Sequence, residues 1–155
     1  MKRALVTGAT GFVGEHICTA LLSSGYTVTA ATRRTKALRL HPDIKIVNVG
    51  GFGADTDWKE ALDGVDIVIH AAARTHVLGG RLRASENSYR RINFDGTKSL
   101  GAQAVENGVQ RFIFVSSVKA GGEFSVPGRP LRVDFPPAPE DPYGRTKLEA
   151  ETALF

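Results

Sequence analysis

A glycine-rich segment, 7-TGATGFVG-14, directly follows a short apolar run near the start of this 155-residue chain. Its glycines, Gly8, Gly11 and Gly14, precede an amphipathic stretch that predicts a helix near residues 12–24. A glycine-rich turn between a strand and a helix lets backbone N–H groups approach a pyrophosphate at the helix N-terminus. The segment therefore predicts a strand–turn–helix unit that binds a dinucleotide.

Apolar runs and helical patterns alternate along the rest of the chain. Further strands are predicted at 27–31, 44–47, 65–70 and 112–115, and further helices at 58–62, at 86–107 and around 143–155. Strands that are mostly continuous apolar runs, separated by helices, are typical of a parallel sheet covered on both faces. Right-handed crossovers then give an α/β fold with a doubly wound parallel sheet. The length fits one domain over residues 1–155.

Residues 118–142 interrupt this alternation between the last strand and the C-terminal helix. They are rich in proline and glycine and show no periodicity. About 25 residues without a pattern are long for a loop in a compact domain, so the segment is either functional or mobile. A loop in this place could close over a ligand.

Composition and charge argue against several classes of protein. The formal net charge is +4, but the basic residues form no long run and few aromatic residues lie among them, so no nucleic-acid partner is expected. No apolar run approaches the ~18 residues that span a bilayer, so no membrane partner is expected. The single cysteine, Cys18, cannot form an internal disulfide, which fits a cytoplasmic protein in which it is a packing residue. No cluster has metal-ligand spacing, so we expect no metal.

A second short motif, 143-YGRTK-147, places a phenol and an ammonium four residues apart on one helix face. A free phenol has a pKa of ~10 and is a poor base near neutrality, whereas an ammonium within ~4–6 Å favours the phenolate. Such a pair standing alone is more typical of an exposed helix surface. Following a dinucleotide turn, Tyr143 and Lys147 predict a site that moves a proton.

Five motifs in this order resemble the short-chain dehydrogenase/reductase superfamily, most closely its extended branch of nucleotide-sugar epimerases, dehydratases and reductases. They are 7-TGATGFVG-14, 66-DIVIHAAA-73, 92-INFDGT-97, 112-FIFVSS-117 and 143-YGRTK-147. The resemblance implies an NAD(P)-binding Rossmann domain over residues 1–155. Because extended relatives place most of the sugar-nucleotide site further along, it also implies a truncated chain that lacks the substrate-binding part and is inactive alone.

Three further stretches are similar to bacterial reductases and epimerases of UDP-linked N-acetyl sugars. They are 70-HAAARTHV-77, 116-SSVKAGGE-123 and 138-APEDPYGRTK-147. They imply a UDP-linked nucleotide sugar as the partner molecule. A homodimer through the two long helices is a further expectation.

The resemblance also implies roles for individual residues. Tyr143 would be the acid/base, Lys147 its helper and a ligand of the nicotinamide ribose, and Ser117 would hold the substrate oxygen. Asn93 would either relay protons near Lys147 or only fix the helix geometry. The implied cofactor-binding residues are Gly8, Gly11, Phe12, Val13, Gly14, Thr32, Arg33, Arg34, Ala71, Ala72, Ala73, Tyr143 and Lys147.

Two neighbours of these residues are expected to be structural. Ser116 is expected to satisfy nearby backbone groups. His70 is expected to be a buried histidine with its hydrogen bonds satisfied rather than a catalyst.

The end of the second strand departs from the pattern of NAD-binding relatives, which carry Asp or Glu there. This chain has Thr32 at that place, followed by Arg33 and Arg34. A missing carboxylate removes repulsion against a ribose phosphate, and a guanidinium can bind that phosphate through two hydrogen bonds. The departure predicts NADP, with NAD as the alternative. A second departure is Gly51, where relatives often carry an Asp near adenine.

The leading hypothesis is therefore an NADP-dependent reductase of a UDP-linked 4-keto sugar. A 4-epimerase of a UDP-hexose or UDP-N-acetylhexosamine is the first alternative. A non-catalytic NADP-binding module is the second alternative.

Overall fold

A parallel five-stranded sheet forms the centre of the molecule. The computed structural model describes residues 1–33, 40–75, 85–125 and 127–155, so the predicted ligand Arg34 lies outside the described residues. The strands are β1 (Arg3–Thr7), β2 (Thr27–Thr32), β3 (Lys45–Asn48), β4 (Ile67–His70) and β5 (Arg111–Phe114). The helices are α1 (Phe12–Ser23), α2 (Lys59–Leu62), α3 (Glu86–Tyr89), α4 (Gly96–Glu106), α5 (Val118–Gly121) and α6 (Pro142–Leu154). Most strand bounds lie within two residues of the predicted ones.

The strands follow the order β3-β2-β1-β4-β5 and all pair in parallel. Val6 in the central strand is in register with Ala30 on one side and Ile69 on the other. The chain builds outward from β1 to β3 and then returns to the opposite side of β1. In such sheets ligands bind outside the carboxyl ends of the strands, where the order reverses. The predicted doubly wound fold is confirmed, and the reversal lies between β1 and β4.

Both faces of the sheet are covered. Alternate residues of β1 enter separate buried clusters, with Leu5 in the cluster that contains Trp58 and Val6 in the cluster that contains Cys18. This follows from the two-residue period of a strand. Burial, with a smaller contribution from Glu15, raises the pKa of the Cys18 thiol to about 11. Cys18 is thus a packing residue, as its place in the sequence predicted.

The helix predicted at 86–107 is present but not uniform. A π-helical segment, Arg90–Asp95, joins α3 to α4. The run ends just before Gly108, which has φ +72° and adopts the left-handed conformation that stops helices. Single π-helical insertions are frequent at functional sites, and this one contains Asn93.

The predicted bounds of the loop, 118–142, are wrong at both ends. Its first residues form α5, capped by the Ser117 side chain, and its last residue begins α6. Within 122–141, the described residues form no strand or helix and are mostly exposed, because proline and glycine suit neither element. The mobility of this segment stays a prediction.

Among the residues that the structure describes, no helix is long and apolar enough to cross a membrane.

Candidate active site

The glycine turn after β1 packs directly against the end of β4. Gly8 has φ +70°, and a Cβ atom there would lie 2.7 Å from the backbone nitrogen of Ala72. A Cβ atom on Gly14 would lie only 2.0 Å from the carbonyl oxygen of Gly8, so α1 starts in contact with the turn. Both positions therefore require glycine, which matches the roles of glycine in a dinucleotide-binding turn.

The N-terminus of α1 has no side-chain cap. Its N-cap residue is Gly11, and the side chains of Phe12 and Val13 are 82% and 50% exposed. Uncapped N–H groups and the helix dipole form a site that suits a phosphate group. The structure thus brings Gly8, Gly11, Phe12, Val13 and Gly14 together in an arrangement that fits a pyrophosphate, while their binding role stays a prediction.

A buried hydrogen-bond chain runs from β1 through β4 to α4. The Thr7 hydroxyl donates to Nδ1 of His70 at 2.6 Å, and Nε2 of His70 donates to Oγ1 of Thr97 at 2.8 Å. Thr97 in turn donates to the carbonyl oxygen of Asn93 at 2.7 Å. In this tautomer each hydroxyl proton takes part in one hydrogen bond. Burial, assisted by the charge of Lys147, lowers the pKa of His70 to about 3, so the ring is neutral and structural, as predicted.

The three alanines after β4 lie half-buried beside the glycine turn. The N–H of Ala71 donates to the carbonyl oxygen of Thr7 at 3.3 Å, and the N–H of Ala72 donates to its hydroxyl at 3.1 Å. These bonds hold the backbone of residues 71–73 against the end of β1. Their methyl groups occupy little space, so a cofactor could lie over this end of the sheet.

Tyr143 and Lys147 lie one turn apart on α6, with the tyrosine half-buried and the lysine buried. Nζ of Lys147 donates to the carbonyl oxygen of Val115 at 2.7 Å and lies 3.7 Å from the centroid of the Phe114 ring. Burial lowers the pKa of Lys147 to about 8, although the charge of Glu151 acts in the opposite direction. The ammonium is thus fixed at the carboxyl end of β5.

The two serines after β5 have different partners. The Ser116 hydroxyl donates to the Glu151 carboxylate on α6, so the prediction that it satisfies nearby backbone is wrong. The side chain of Ser117 is the N-cap of α5, and its Oγ accepts from the N–H of Lys119 at 3.3 Å. A hydroxyl that accepts this bond keeps its proton for another acceptor. Ser117 is half-buried and can donate to a substrate oxygen.

Asn93 is buried in the π-helical segment and connects three parts of the site. Its Oδ1 accepts from the N–H of Arg74 at 2.7 Å, and its Nδ2 donates to the Arg74 carbonyl oxygen at 3.1 Å. Nδ2 also lies 3.2 Å from Oγ1 of Thr146 on α6. Of the two predicted roles, these contacts favour the one in which Asn93 fixes backbone geometry.

The two residues at the end of β2, Thr32 and Arg33, differ in their exposure to solvent. Thr32 is buried and its hydroxyl lies 3.5 Å from the carbonyl oxygen of Val47, whereas the side chain of Arg33 is exposed. Of these two described residues, Arg33 is the one whose side chain is exposed to a ribose phosphate. Beyond β3, a cleft of about 250 Å³ is lined by Gly51, Asp57 and Arg91, among others. The side chain of Arg91 extends alongside Gly51, so a cation lies next to this glycine, and the carboxylates of Asp55 and Asp57 also line the cleft.

Sequence reasoning missed Asp141 and Lys119. Asp141 is the N-cap of α6, and its place before Pro142 is a helix-start signal that could have identified it. The pairing of Lys119 with Asp141, 22 residues apart, has no local signal.

In the described part of the chain, no three His, Cys, Asp or Glu side chains are grouped to hold a metal ion.

Comparison with known proteins matches residues 4–155 to the model of the NAD dependent epimerase/dehydratase family. UDP-glucose 4-epimerase from Vibrio cholerae is 40% identical over 154 residues, which cover 99% of this chain and 46% of that protein. A 3-beta-hydroxysteroid dehydrogenase from Mycolicibacterium neoaurum is 35% identical over 158 residues, covering 97% of this chain and 42% of that protein. The chain spans about half the length of the curated relatives it matches.

Solved structures of other proteins share the fold. MoeE5 in complex with UDP-glucose and NAD superposes with a TM-score of 0.78 at 33% identity, covering 98% of this chain and 48% of that one. UDP-glucuronic acid 4-epimerase from Bacillus cereus in complex with NAD also gives 0.78, at 28% identity, with coverage of 97% and 50%. With its glycine turn and its tyrosine–lysine pair at the carboxyl end of the sheet, the chain belongs to the NAD-dependent epimerase/dehydratase family.

Proposed function

We propose that this chain forms the cofactor-binding and proton-transfer part of a 4-epimerase that uses NAD and acts on a UDP-linked hexose. The observation that carries the proposal is the placement of Lys147. Its ammonium is buried at the end of β5, one helical turn from Tyr143. The similarity to a UDP-glucose 4-epimerase and to an enzyme bound to UDP-glucose and NAD supports this reaction over a reduction.

The residues present fit a bound dinucleotide. The turn Gly8–Gly14 and the uncapped start of α1 would hold the pyrophosphate. The small residues Ala71–Ala73 would leave room for the cofactor over the end of β4, and Lys147 would hydrogen-bond the nicotinamide ribose. The chemistry that bound NAD supplies is acceptance of a hydride from the sugar carbon and its return to the same carbon.

Proton transfer is the task of the chain's own side chains. The Tyr143 phenolate takes the proton of the sugar 4-hydroxyl and later returns it. The Lys147 ammonium stabilises the phenolate, and this attraction is strong because the group lies away from bulk water. Ser117 donates a hydrogen bond to the same substrate oxygen and so orients it towards Tyr143.

The test uses the complete gene product with UDP-glucose, UDP-galactose and their N-acetylated counterparts. We expect interconversion of the 4-epimers without net consumption of a reduced cofactor. Tyr143→Phe should retain cofactor binding and reduce turnover by about 10²-fold or more, since the ring remains and the ionisable hydroxyl is lost. Near-normal turnover in this variant would contradict the proposed role of Tyr143.

An NADP-dependent reductase of a UDP-linked 4-keto sugar is the second candidate. The observation that favours it is the end of β2, where the exposed Arg33 follows the buried Thr32 and no carboxylate stands among residues 27–33. Stoichiometric NADPH oxidation with a 4-keto sugar, without epimer interconversion, would select it. Cofactor binding without any turnover would select the third candidate, a non-catalytic binding module.

The predicted homodimer also belongs to this proposal. A shallow, mainly apolar groove of about 420 Å³ lies between the π-helical segment and α6, and Phe94 and Leu148 are among its lining residues. A second copy of the chain would bury these side chains. Sedimentation of the complete gene product should therefore give a dimer, and Leu148→Glu should yield monomers.

A further inference from the structure

One side chain joins the two stretches 116–123 and 138–147 in space. Nζ of Lys119 lies 2.7 Å from Oδ2 of Asp141 and 3.0 Å from Oε1 of Glu123. The three side chains are only 32%, 18% and 19% exposed, so water screens their charges less than it would screen an exposed pair. These ion pairs connect α5, the segment that follows it and the start of α6.

Asp141 uses its two carboxylate oxygens for different purposes. Oδ1 accepts from the N–H of Gly144 at 2.6 Å and so caps α6, while Oδ2 accepts from Lys119. Tyr143 lies in the first turn of the same helix, two residues after the cap. Any rotation of the Asp141 carboxylate therefore changes the start of the helix that carries the phenol.

The backbone of Lys119 is fixed to the site as well. Its N–H donates to Oγ of Ser117, and a Cβ atom on Gly144 would lie 2.4 Å from its carbonyl oxygen. The backbone of α5 thus packs so closely against α6 that only glycine fits at position 144. Lys119 consequently contacts Ser117 through its backbone and the cap of the Tyr143 helix through its ammonium.

We propose that Lys119 is a positioning residue that holds Ser117 and Tyr143 in the arrangement in which both reach one substrate oxygen. An ammonium suits this role because its three donors can hold two carboxylates at once. The inference rests on the proposed function for the roles of Ser117 and Tyr143. It goes beyond that function by assigning a task to a lysine that does not itself contact the reacting atoms.

The first test measures turnover by the complete gene product in whichever reaction the wild-type enzyme catalyses. Lys119→Met keeps the length of the side chain and removes its charge, so we expect kcat to fall about tenfold or more. KM and cofactor content per subunit should stay within about twofold, since the contact affects the reacting geometry rather than binding. Lys119→Arg should restore most of kcat, and Lys59→Met, at an exposed lysine on α2, is the matched control.

A double mutant separates positioning from mere stability. In a Ser117→Ala background, Lys119→Met should cost much less than in the wild type, because one of the groups that it positions is gone. Additive effects would overturn the inference. Should Lys119→Met fail to fold, Asp141→Asn takes its place, because asparagine still caps the helix while its charge is lost. An unchanged kcat in Asp141→Asn would also overturn it.

A measurement that needs no turnover tests the contact itself. Loss of Lys119 should speed hydrogen exchange at the Gly144 amide about tenfold, because the capping carboxylate is no longer held. Unchanged exchange would overturn the inference whatever reaction the enzyme catalyses. Faster exchange together with a fully active Tyr143→Phe would instead contradict the proposed function and leave the Lys119 contact confirmed.

Discussion

Nζ of Lys147 lies 2.7 Å from the carbonyl oxygen of Val115, so the lysine of α6 is bonded to the end of β5. The next residue along the chain, Ser116, donates its hydroxyl to Glu151, one turn further along the same helix. Two successive residues after β5, Val115 and Ser116, are thus bonded to two successive turns of α6. This double attachment fixes the helix that carries Tyr143 relative to Ser117.

The first prediction distinguishes the roles of Tyr143 and Lys147 on α6. Lys147→Ala should reduce both cofactor affinity and turnover, because it would remove the proposed ribose contact as well as the charge one helical turn from Tyr143. Tyr143→Phe should reduce turnover alone. The measurements are fluorescence titration with reduced cofactor and the epimerase assay on both variants of the complete gene product. Wild-type cofactor affinity in Lys147→Ala would contradict the ribose contact.

The second prediction concerns the pH dependence of turnover. Burial lowers the pKa of Lys147 to about 8, and Glu151 opposes that shift. Activity should therefore decline as the pH rises through about 8, where the ammonium loses its proton. Glu151→Gln removes a negative charge and lowers the pKa of Lys147 further, so the decline should begin at lower pH.

The groups around Lys147 define the controls for this experiment. His70 on β4 is neutral above its pKa of about 3, so it does not titrate in the range measured. Glu60→Gln, at an exposed glutamate of α2, should leave the profile in place. A profile that is the same in Glu151→Gln and the wild type would contradict the prediction.

Local patterns predicted the fold and the face on which the main site residues lie. The apolar runs predicted the strands, Gly108 marked the end of α4, and the four-residue spacing placed Tyr143 and Lys147 on one face. These features depend on neighbours in sequence. The carboxylate contact of Ser116 could not be predicted in this way, because Glu151 lies 35 residues away. The same holds for the ion pair of Lys119, which forms only after α5 packs on α6.

The third prediction is loss of stability in acid through His70. The folded pKa is about 3 and the ordinary value is 6.5, so the unfolded chain binds one more proton between these values. The contribution of His70 to the free energy of unfolding is therefore fully present above pH 6.5 and is lost progressively as the pH falls towards 3. His70→Gln should be less stable at pH 7, because the hydrogen bonds to Thr7 and Thr97 are disturbed, but it should depend less on pH.

Urea unfolding between pH 7 and pH 4 measures this difference in slope. The exposed His16→Gln is the matched control, because it removes a histidine from a surface of α1. Equal slopes for His70→Gln and the wild type would show that another group dominates the acid response.

The last prediction concerns the choice of cofactor at the end of β2. Arg33 is exposed there, while Thr32 in place of a carboxylate does not repel a phosphate. We expect NADH and NADPH to bind the complete gene product with affinities within about tenfold of each other. Arg33→Ala should weaken NADPH selectively, by about 1–3 kcal/mol for a charge-assisted contact, and leave NADH nearly unchanged. Lys45→Ala is the control, because it removes an exposed cation from the opposite end of the neighbouring strand. Equal NADPH affinity in Arg33→Ala and the wild type would remove Arg33 from the cofactor site, whereas a wild-type preference for NADPH well above tenfold would favour the reductase over the epimerase.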